Sequence, residues 1–181
     1  MERMNGNHDE KNIGIALFGA GCFWGVEYIF LQVPGVISTK VGYSGGKTKD
    51  PNYRDVIWRE TSHAEVVKVV FDKSKIDYSL LLDVFFRCHD PTTKDRQGPD
   101  VGDQYRSVIF YTDQSQLKSA KNALARYQKI LGKKKIVTEI KKAGVFYPAE
   151  GYHQDYYGKV GGTPYCHVMP NLSSISQRGF K

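Results

Sequence analysis

One stretch near the N-terminus decides the fold: IGIALFGAGCFWG, residues 13–25. Residues 13–18 are an apolar run of the right length for a buried strand. Glycines follow, and from Phe23 onward large apolar residues recur at three- and four-residue spacings, which is typical of a helix. The sequence therefore predicts a strand, a glycine turn and a helix, with Cys22 at or near the N-terminus of that helix.

This position favours a reactive Cys22. The unpaired N–H groups and the positive dipole end of a helix N-terminus stabilise an anion, so they favour thiolate over thiol. A lowered pKa at such a position makes a cysteine nucleophilic. Free cysteines are more often inert core residues, however. The local pattern alone leaves both interpretations open.

Apolar patterns predict further elements along the chain. Strands are expected at 36–43, 65–71, 105–111 and 136–140, and helices at 78–87 and 113–130. Residues 50–54 and 89–103 are expected to be loops, and a short helical turn is expected within 147–157. The order β-α-β-β-α-β-α-β predicts an α+β protein, a two-layer sandwich with a mixed sheet. It is similar to the split βαβ arrangement of ferredoxin-like folds.

The chain is predicted to form a single domain over residues 13–181. Nothing in its composition marks an internal linker, and 181 residues are ample for one core. Residues 1–12 are polar and are expected to be a flexible tail. From Gly158 onward Gly, Pro, Ser and Asn dominate, which predicts a long, irregular and mobile C-terminal tail.

The composition argues against several classes of partner. No run of residues approaches the length of a membrane span, so no membrane association is predicted. The net charge is +7, but much of the excess lies in lysines at 133–135 and 141–142, for which a solvated surface is the simpler interpretation. No zinc-finger spacing or basic stripe accompanies them, so no nucleic-acid partner is predicted.

Cysteine usage predicts a cytoplasmic location. The chain has three cysteines, far apart, which does not suggest the disulfide framework of a secreted protein. The first twelve residues also lack the apolar run of a secretory signal. Cys88 continues the apolar face of the helix predicted at 78–87 and is interpreted as core.

Four other polar residues could complete a site around Cys22. Glu65 begins a strongly apolar strand, where burial would raise its pKa and keep it a proton donor near neutral pH; a plain strand-edge glutamate is the alternative. Tyr53 and Tyr105 offer phenolic O–H groups. Cys166 lies in the predicted tail, where a mobile thiol could reach a reactive one and resolve its oxidised form.

Several separate runs together resemble one known family, the peptide-methionine (S)-S-oxide reductases, which are the A type of methionine sulfoxide reductase. They span residues 13–168 in the family's order. The runs are GAGCFWG at 19–25, VGYSGG at 41–46, Tyr53, HAEVV at 63–67, HDPT at 89–92, RQG at 96–98, Asp100, Gly102, QYRS at 104–107, PAE at 148–150 and YHQ at 152–154.

The resemblance implies a role for each site residue. Cys22 would attack the sulfoxide sulfur, and Glu65 would protonate the sulfoxide oxygen while Tyr53 and Tyr105 donate hydrogen bonds to it. The S–O bond breaks easily only when the developing oxyanion is protonated or hydrogen-bonded. Cys166 would then attack the sulfenic acid on Cys22 and form a disulfide, releasing water.

The resemblance also implies the substrate pocket and the partners. Phe23 and Trp24 would form the apolar wall that holds the methionine methyl group, and Asp100 would be the family's loop carboxylate near the site. The partners would be proteins and peptides that contain methionine sulfoxide, with thioredoxin or a similar dithiol as external reductant. No bound cofactor or metal is expected, and the protein is expected to be a monomer.

Three other functions are weighed against this one. A thioredoxin-like oxidoreductase would need a Cys-x-x-Cys pair, and residue 25 is glycine. A thiol peroxidase is chemically possible, because a low-pKa thiolate also reacts with peroxides. A zinc-binding or nucleic-acid-binding module would need close ligand pairs, which the spacing of Cys22, Cys88 and Cys166 does not provide.

Overall fold

The computed structural model describes residues 10–176 of the chain. The predicted flexible segment 1–12 lies largely outside the described residues, and Glu10–Asn12 form a 3-10 turn. The helices and strands are β1 Ile13–Ala20, α1 Phe23–Leu31, β2 Val36–Ser44, α2 Tyr53–Trp58, β3 Ala64–Asp72, α3 Tyr78–Cys88, β4 Arg96–Gln97, β5 Asp100–Val101, β6 Ser107–Tyr111, α4 Gln114–Leu131, β7 Glu139–Lys142, β8 Phe146–Pro148, α5 Tyr156–Val160 and α6 Leu172–Ser176.

A mixed sheet is the centre of the fold. Its strand order is β7-β6-β1-β3-β2-β8, and β4 and β5 form a separate two-stranded hairpin. Strands β6 and β7 are parallel, whereas the other neighbours in the sheet run antiparallel. The predicted α+β class with a mixed sheet and packed helices is therefore confirmed.

Strand β1 lies inside the sheet and is buried on both faces. Because side chains alternate along a strand, Phe18 faces the main core, with the helices, and Leu17 faces a smaller apolar cluster. The Phe18 ring stacks on Phe30 of α1 and Phe85 of α3, each with a centroid distance of 5.2 Å. The first of these stacks fixes α1, and with it the residue before α1, relative to the sheet, and the second fixes α3.

The predicted loop at 50–54 is wrong in its second half, because Tyr53 begins α2. The helix starts with a capping box: the Asn52 side chain accepts from the Asp55 N–H, and the Asp55 side chain accepts from the Asn52 N–H. This reciprocal arrangement satisfies two donors at a helix start. Tyr53 is therefore held on a capped helix and not on a free loop.

Other boundaries also differ from the predictions. Strand β6 begins at Ser107, and Tyr105 ends a 3-10 turn, Asp103–Tyr105, instead of beginning the strand. The predicted loop at 89–103 contains the β4–β5 hairpin. The short helical turn expected within 147–157 is confirmed at Gly151–His153. Helices α5 and α6 lie where a continuous irregular tail is predicted.

Candidate active site

Cys22 occupies the N-cap of α1, directly after the turn that leaves β1. The turn needs glycine at Gly21, whose φ of +94° lies in the left-handed region that side chains disfavour. The Cys22 carbonyl accepts from the Gly25 N–H at 3.2 Å. The thiol is half-buried and is not in a disulfide. The predicted position at the helix N-terminus is confirmed.

Glu65 lies beside Cys22 and is almost completely buried. Its side chain is on β3, and its Oε2 accepts a hydrogen bond from the Phe23 N–H, the first helical N–H of α1, at 3.0 Å. Burial raises the pKa of Glu65 to about 8, although the Phe23 N–H acts in the opposite direction. At neutral pH most of the population therefore carries a proton on this carboxyl, next to the thiol.

The pKa of Cys22 differs from the prediction. Burial raises the pKa of the thiol, the Glu65 charge raises it further, and the hydrogen bond from the Trp24 N–H lowers it. The expected lowering is therefore wrong for this environment, because desolvation outweighs one helix-terminal N–H. Protonation of Glu65 removes its charge, which is one of the effects that raise the pKa of Cys22, so the ionisations of Cys22 and Glu65 are linked.

Two phenols lie near this pair of residues. Burial raises the pKa of Tyr53 to about 12, with further contributions from the charges of Glu65 and Cys22. Burial and the Glu65 charge also raise the pKa of Tyr105. Both phenols therefore keep their protons at neutral pH and can donate hydrogen bonds. They come from separate elements, α2 and the turn before β6.

An apolar wall stands next to the thiol. Phe23 is buried against Tyr43, with a ring centroid distance of 5.8 Å. Trp24 is half-buried and stacks on Tyr156 of α5 at 3.7 Å, with the ring planes 4° apart. Its indole Nε1–H donates to His153 Nδ1 at 2.9 Å. The indole is therefore fixed both through its ring face and through its N–H.

Asp100 and Cys166 lie on the other side of the site. The Tyr165 hydroxyl donates to the Asp100 carboxylate, 3.3 Å from each oxygen. The segment that carries Cys166 is fixed by two further bonds: the Gln97 Nε2 donates to the Cys166 carbonyl at 3.3 Å, and the Val168 N–H donates to the Cys88 carbonyl at 3.0 Å. The Cys166 charge raises the pKa of Cys22, which means that the two thiols are close enough to interact.

All eight residues selected from the sequence thus gather around the N-terminus of α1. The arrangement combines a thiol at a helix N-terminus, a protonated carboxyl, two phenolic donors, an apolar wall and a second thiol. Such a set can donate a proton to an oxygen while a thiol attacks the atom that carries the oxygen.

The comparisons with known proteins identify the family. Residues 14–178 match the family model described as peptide methionine sulfoxide reductase. The chain belongs to this family. It is an oxidoreductase that reduces methionine sulfoxide.

Curated members of the family are similar over nearly the whole chain. Peptide methionine sulfoxide reductase MsrA of Sulfolobus acidocaldarius is 50% identical over 155 residues, which are 86% of this chain and 88% of the relative. The protein of the same name from Methanothermobacter thermautotrophicus is 52% identical over 160 residues, covering 88% and 94%.

Solved structures of the family share the fold. Reduced Mxr1 of Saccharomyces cerevisiae superposes with a TM-score of 0.83 and 35% identity, covering 91% of this chain and 96% of the relative. Methionine sulfoxide reductase A of Corynebacterium diphtheriae gives 0.78 and 34%, with coverage of 87% and 81%. Mxr1 in complex with Trx2 gives 0.60 and 26%, with coverage of 91% and 95%.

Sequence reasoning missed two histidines of this reductase site. His153 is fully buried and accepts the Trp24 N–H, so its proton is on Nε2, which lies 3.7 Å from Glu150 Oε2. The YHQ run at 152–154 contains His153, but the sequence pattern assigns this residue no role. His167 is buried directly against the first turn of α1, and a Cβ at Gly25 would collide with its Nδ1. The glycine at position 25 is therefore the sequence feature that indicates close packing against the first turn of α1.

The third cysteine takes no part in the site. Cys88 is buried in the main core, as its helical spacing predicts. Its S–H donates to the Phe85 carbonyl at 3.3 Å, and burial raises its pKa to about 12. It is a structural thiol.

Residues 10–176 contain neither a cluster of metal-binding side chains nor a helix that could cross a membrane. Within that range no group of three or more His, Cys, Asp or Glu side chains could hold a metal ion. Of the helices described there, none is long and apolar enough to cross a lipid bilayer.

Replacing His153 tests whether it positions the Trp24 wall. His153→Phe keeps a ring against Phe23 but leaves the half-buried indole N–H without its acceptor. Since an unpaired buried donor costs about 1–3 kcal/mol, the indole should turn towards another partner and the wall should be displaced, so we expect kcat/KM for a methionine sulfoxide peptide to fall about tenfold. Tyr152→Phe, which removes a neighbouring solvent-exposed hydroxyl, is the control and should stay near wild type. Equal kcat/KM for His153→Phe and wild type would contradict this role.

Proposed function

We propose that the protein reduces methionine-S-sulfoxide in oxidised proteins and peptides, through Cys22 as nucleophile and Glu65 as acid. The observation that carries this proposal is the buried Glu65 carboxyl, bonded to the Phe23 N–H directly beside the thiol. Its raised pKa of about 8 supplies a proton at the pH of the cell. Preference for the S epimer rests on family membership.

In the first step Cys22 attacks the sulfoxide sulfur. The proton of Glu65 passes to the sulfoxide oxygen, and Tyr53 and Tyr105 stabilise that oxygen by donating hydrogen bonds. The S–O bond of the sulfoxide then breaks, the protonated oxygen passes to the Cys22 sulfur as the thioether leaves, and the proton of the Cys22 thiol restores Glu65. The sum is one thiol and one sulfoxide giving one sulfenic acid and one thioether, so atoms and electrons balance. Because the phenols keep their protons, they assist without being consumed.

The apolar wall holds the substrate for this attack. Phe23 and Trp24 follow Cys22 directly on α1, so a methyl group placed against them lies next to the nucleophile. The fixed indole supports this role, since a pocket wall must be rigid to orient a small group. Asp100 lies at the rim, where its carboxylate, bonded to Tyr165, orders the segment that carries Cys166.

In the second step Cys166 resolves the sulfenic acid. A Cys22–Cys166 disulfide forms and water leaves. An external dithiol then reduces the disulfide by exchange, and the complex of the related Mxr1 with Trx2 supports thioredoxin as that dithiol. The segment holds one cysteine, so the carrier would attack the Cys22–Cys166 disulfide directly.

The proposal extends to the domain, the oligomeric state and the location of the protein. We assign the repair activity to one domain, residues 13–181, acting as a monomer in the reducing cytoplasm without a bound cofactor. We interpret the antiparallel centre β6-β1-β3-β2 as a ferredoxin-like split βαβ unit, because β3 lies between β1 and β2 and helices follow β1 and β3. The long segment after α5 is assigned as the tail that delivers Cys166.

Glu65→Gln tests the acid. The rate of methionine release in a single turnover should fall about 10²- to 10⁴-fold near pH 7, the usual contribution of general acid catalysis. Above pH about 8 wild-type Glu65 has lost its proton, so the ratio of wild-type to variant rates should shrink as the pH rises. The ionisation of Cys22 affects both proteins and largely cancels in this ratio.

The control is Glu27→Gln on α1, the helix that Cys22 caps. Glu27 is also buried and also accepts a backbone N–H, from Asp155 at 2.8 Å, but it lies away from the thiol. The Glu27→Gln variant should keep a single-turnover rate near that of wild type. A Glu65→Gln variant that matches wild type at pH 7 would refute the acid role.

Cys166→Ser tests the resolving step. The variant should release one methionine per enzyme and then stop with thioredoxin as reductant, because the sulfenic acid has no partner thiol. Cys88→Ser, which keeps a donor for the Phe85 carbonyl, should continue to cycle. Counting methionine released per enzyme, with and without thioredoxin, separates the two outcomes. Unchanged thioredoxin-dependent cycling of Cys166→Ser would remove Cys166 from the mechanism.

A further inference from the structure

His167 joins the segment that carries Cys166 to the turn that carries Cys22. It follows Cys166 in the chain and packs on the turn that carries Cys22, in a notch formed by Gly21 and Gly25. A side chain at Gly25 would collide with the imidazole Nδ1, so the glycine makes room for the ring. The imidazole is almost fully buried, and its position is therefore set by packing.

Hydrogen bonds fix which nitrogen of His167 carries the proton. Nε2 lies 2.6 Å from the Ala20 carbonyl oxygen, which can only accept, so Nε2 is the N–H donor. Burial lowers the pKa of His167, which keeps the ring neutral. Nδ1 therefore presents a lone pair, and it lies 3.1 Å from the Cys166 Sγ. The Cys166 sulfur therefore lies within hydrogen-bond distance of an imidazole lone pair that can accept its proton.

We propose that His167 is the general base of the resolving step, taking the proton of the Cys166 thiol at Nδ1 as that sulfur attacks Cys22. This role rests on the proposed function of Cys166 as the resolving cysteine. His167 qualifies as a catalytic residue because it contacts a reacting atom.

The step balances without an outside reagent. The Cys166 Sγ forms a bond to the Cys22 Sγ, and the S–O bond of the Cys22 sulfenic acid breaks. The hydroxide that leaves takes the proton from His167 and becomes water. The sulfenic sulfur is reduced, the Cys166 thiol is oxidised, and His167 returns to its neutral form.

The environment of Cys166 favours a base beside the thiol. Burial, the Asp100 charge and a hydrogen bond to Asp100 raise the pKa of Cys166 to about 12, so little thiolate is present at pH 7 without a base. Asp100 is a second acceptor near the Cys166 thiol, to which it is hydrogen-bonded, and it also accepts from the Tyr165 hydroxyl, 3.3 Å from each oxygen. The imidazole Nδ1 lies 3.1 Å from the sulfur, and comparing His167→Gln with Asp100→Asn separates the two acceptors.

The titratable groups around His167 come from four elements. Asp100 on β5 raises its pKa, and His89 after α3 interacts with it electrostatically. The Cys166 thiol lies on its own segment, and Cys22 lies on the turn against which it packs. Burial outweighs Asp100, so the imidazole remains a neutral base across the physiological range.

The test follows the two steps separately in His167→Gln. Glutamine can still donate to the Ala20 carbonyl but cannot take up the thiol proton. Methionine release in the first turnover should match wild type, whereas disulfide formation should slow by about 10²-fold at pH 7. Rapid quenching gives methionine by chromatography, and dimedone trapping with mass spectrometry gives the remaining sulfenic acid.

The pH profile distinguishes a base from a positioning role. Wild-type disulfide formation should be nearly constant from pH 7 to 9, whereas the His167→Gln rate should rise about tenfold per pH unit as unaided Cys166 ionises. Added imidazole should restore disulfide formation in His167→Ala. Val168→Ala, an exposed neighbour, is the control for disturbance of the segment and should match wild type.

Three results would overturn the role of His167. The first is disulfide formation at the wild-type rate in His167→Gln. The second is disulfide formation in His167→Gln that is slower than in wild type by the same factor at every pH. The third is a tenfold rise per pH unit that appears in Asp100→Asn instead of in His167→Gln. The proposed function fails differently: in that case wild type itself would release no methionine in the first turnover, or Cys166→Ser would cycle normally.

Discussion

The hydrogen bond from the Phe23 N–H to Glu65 is the contact on which the rest of the site depends. It joins the first turn of α1 to β3, and so it places the acid within reach of the thiol at the helix N-cap. Burial of Glu65 keeps its proton near neutral pH. The stack of Phe18 on Phe30 helps to hold α1 against the sheet, where this bond can form. The Phe23 N–H therefore links the packing of α1 to the position of the Glu65 carboxyl.

The second constraint is the space left by glycine around Cys22. Gly21 permits the turn, and Gly25 leaves room for His167, which brings the Cys166 segment onto the same helix terminus. Cys22, Glu65 and Cys166 are therefore held by three different parts of the chain that meet at one end of α1. Desolvation raises the pKa of both thiols. The proposed mechanism accordingly supplies proton transfer locally, through Glu65 for the first step and His167 for the second.

The sequence predicts the features that depend on local pattern. The strand, turn and helix around Cys22, the α+β class, the family and the core position of Cys88 are confirmed. The histidines were missed because their contacts are long-range: His153 bonds a residue 129 positions away, and His167 one that is 147 away. The predicted lowering of the Cys22 pKa is wrong for a related reason. Position at a helix N-terminus can be inferred from the neighbouring sequence, whereas burial depends on distant parts of the chain. The roles of Glu65, Tyr53 and Tyr105 remain predictions that the geometry supports.

The most direct measurement of the central claim is reduction of the separated S and R epimers of a methionine sulfoxide peptide by wild type and by Cys22→Ser. The claim predicts that wild type releases methionine from the S epimer alone, and that Cys22→Ser releases none from either epimer. Equal rates on both epimers would contradict the assigned pocket. A serine variant that still turns over would contradict the nucleophile itself.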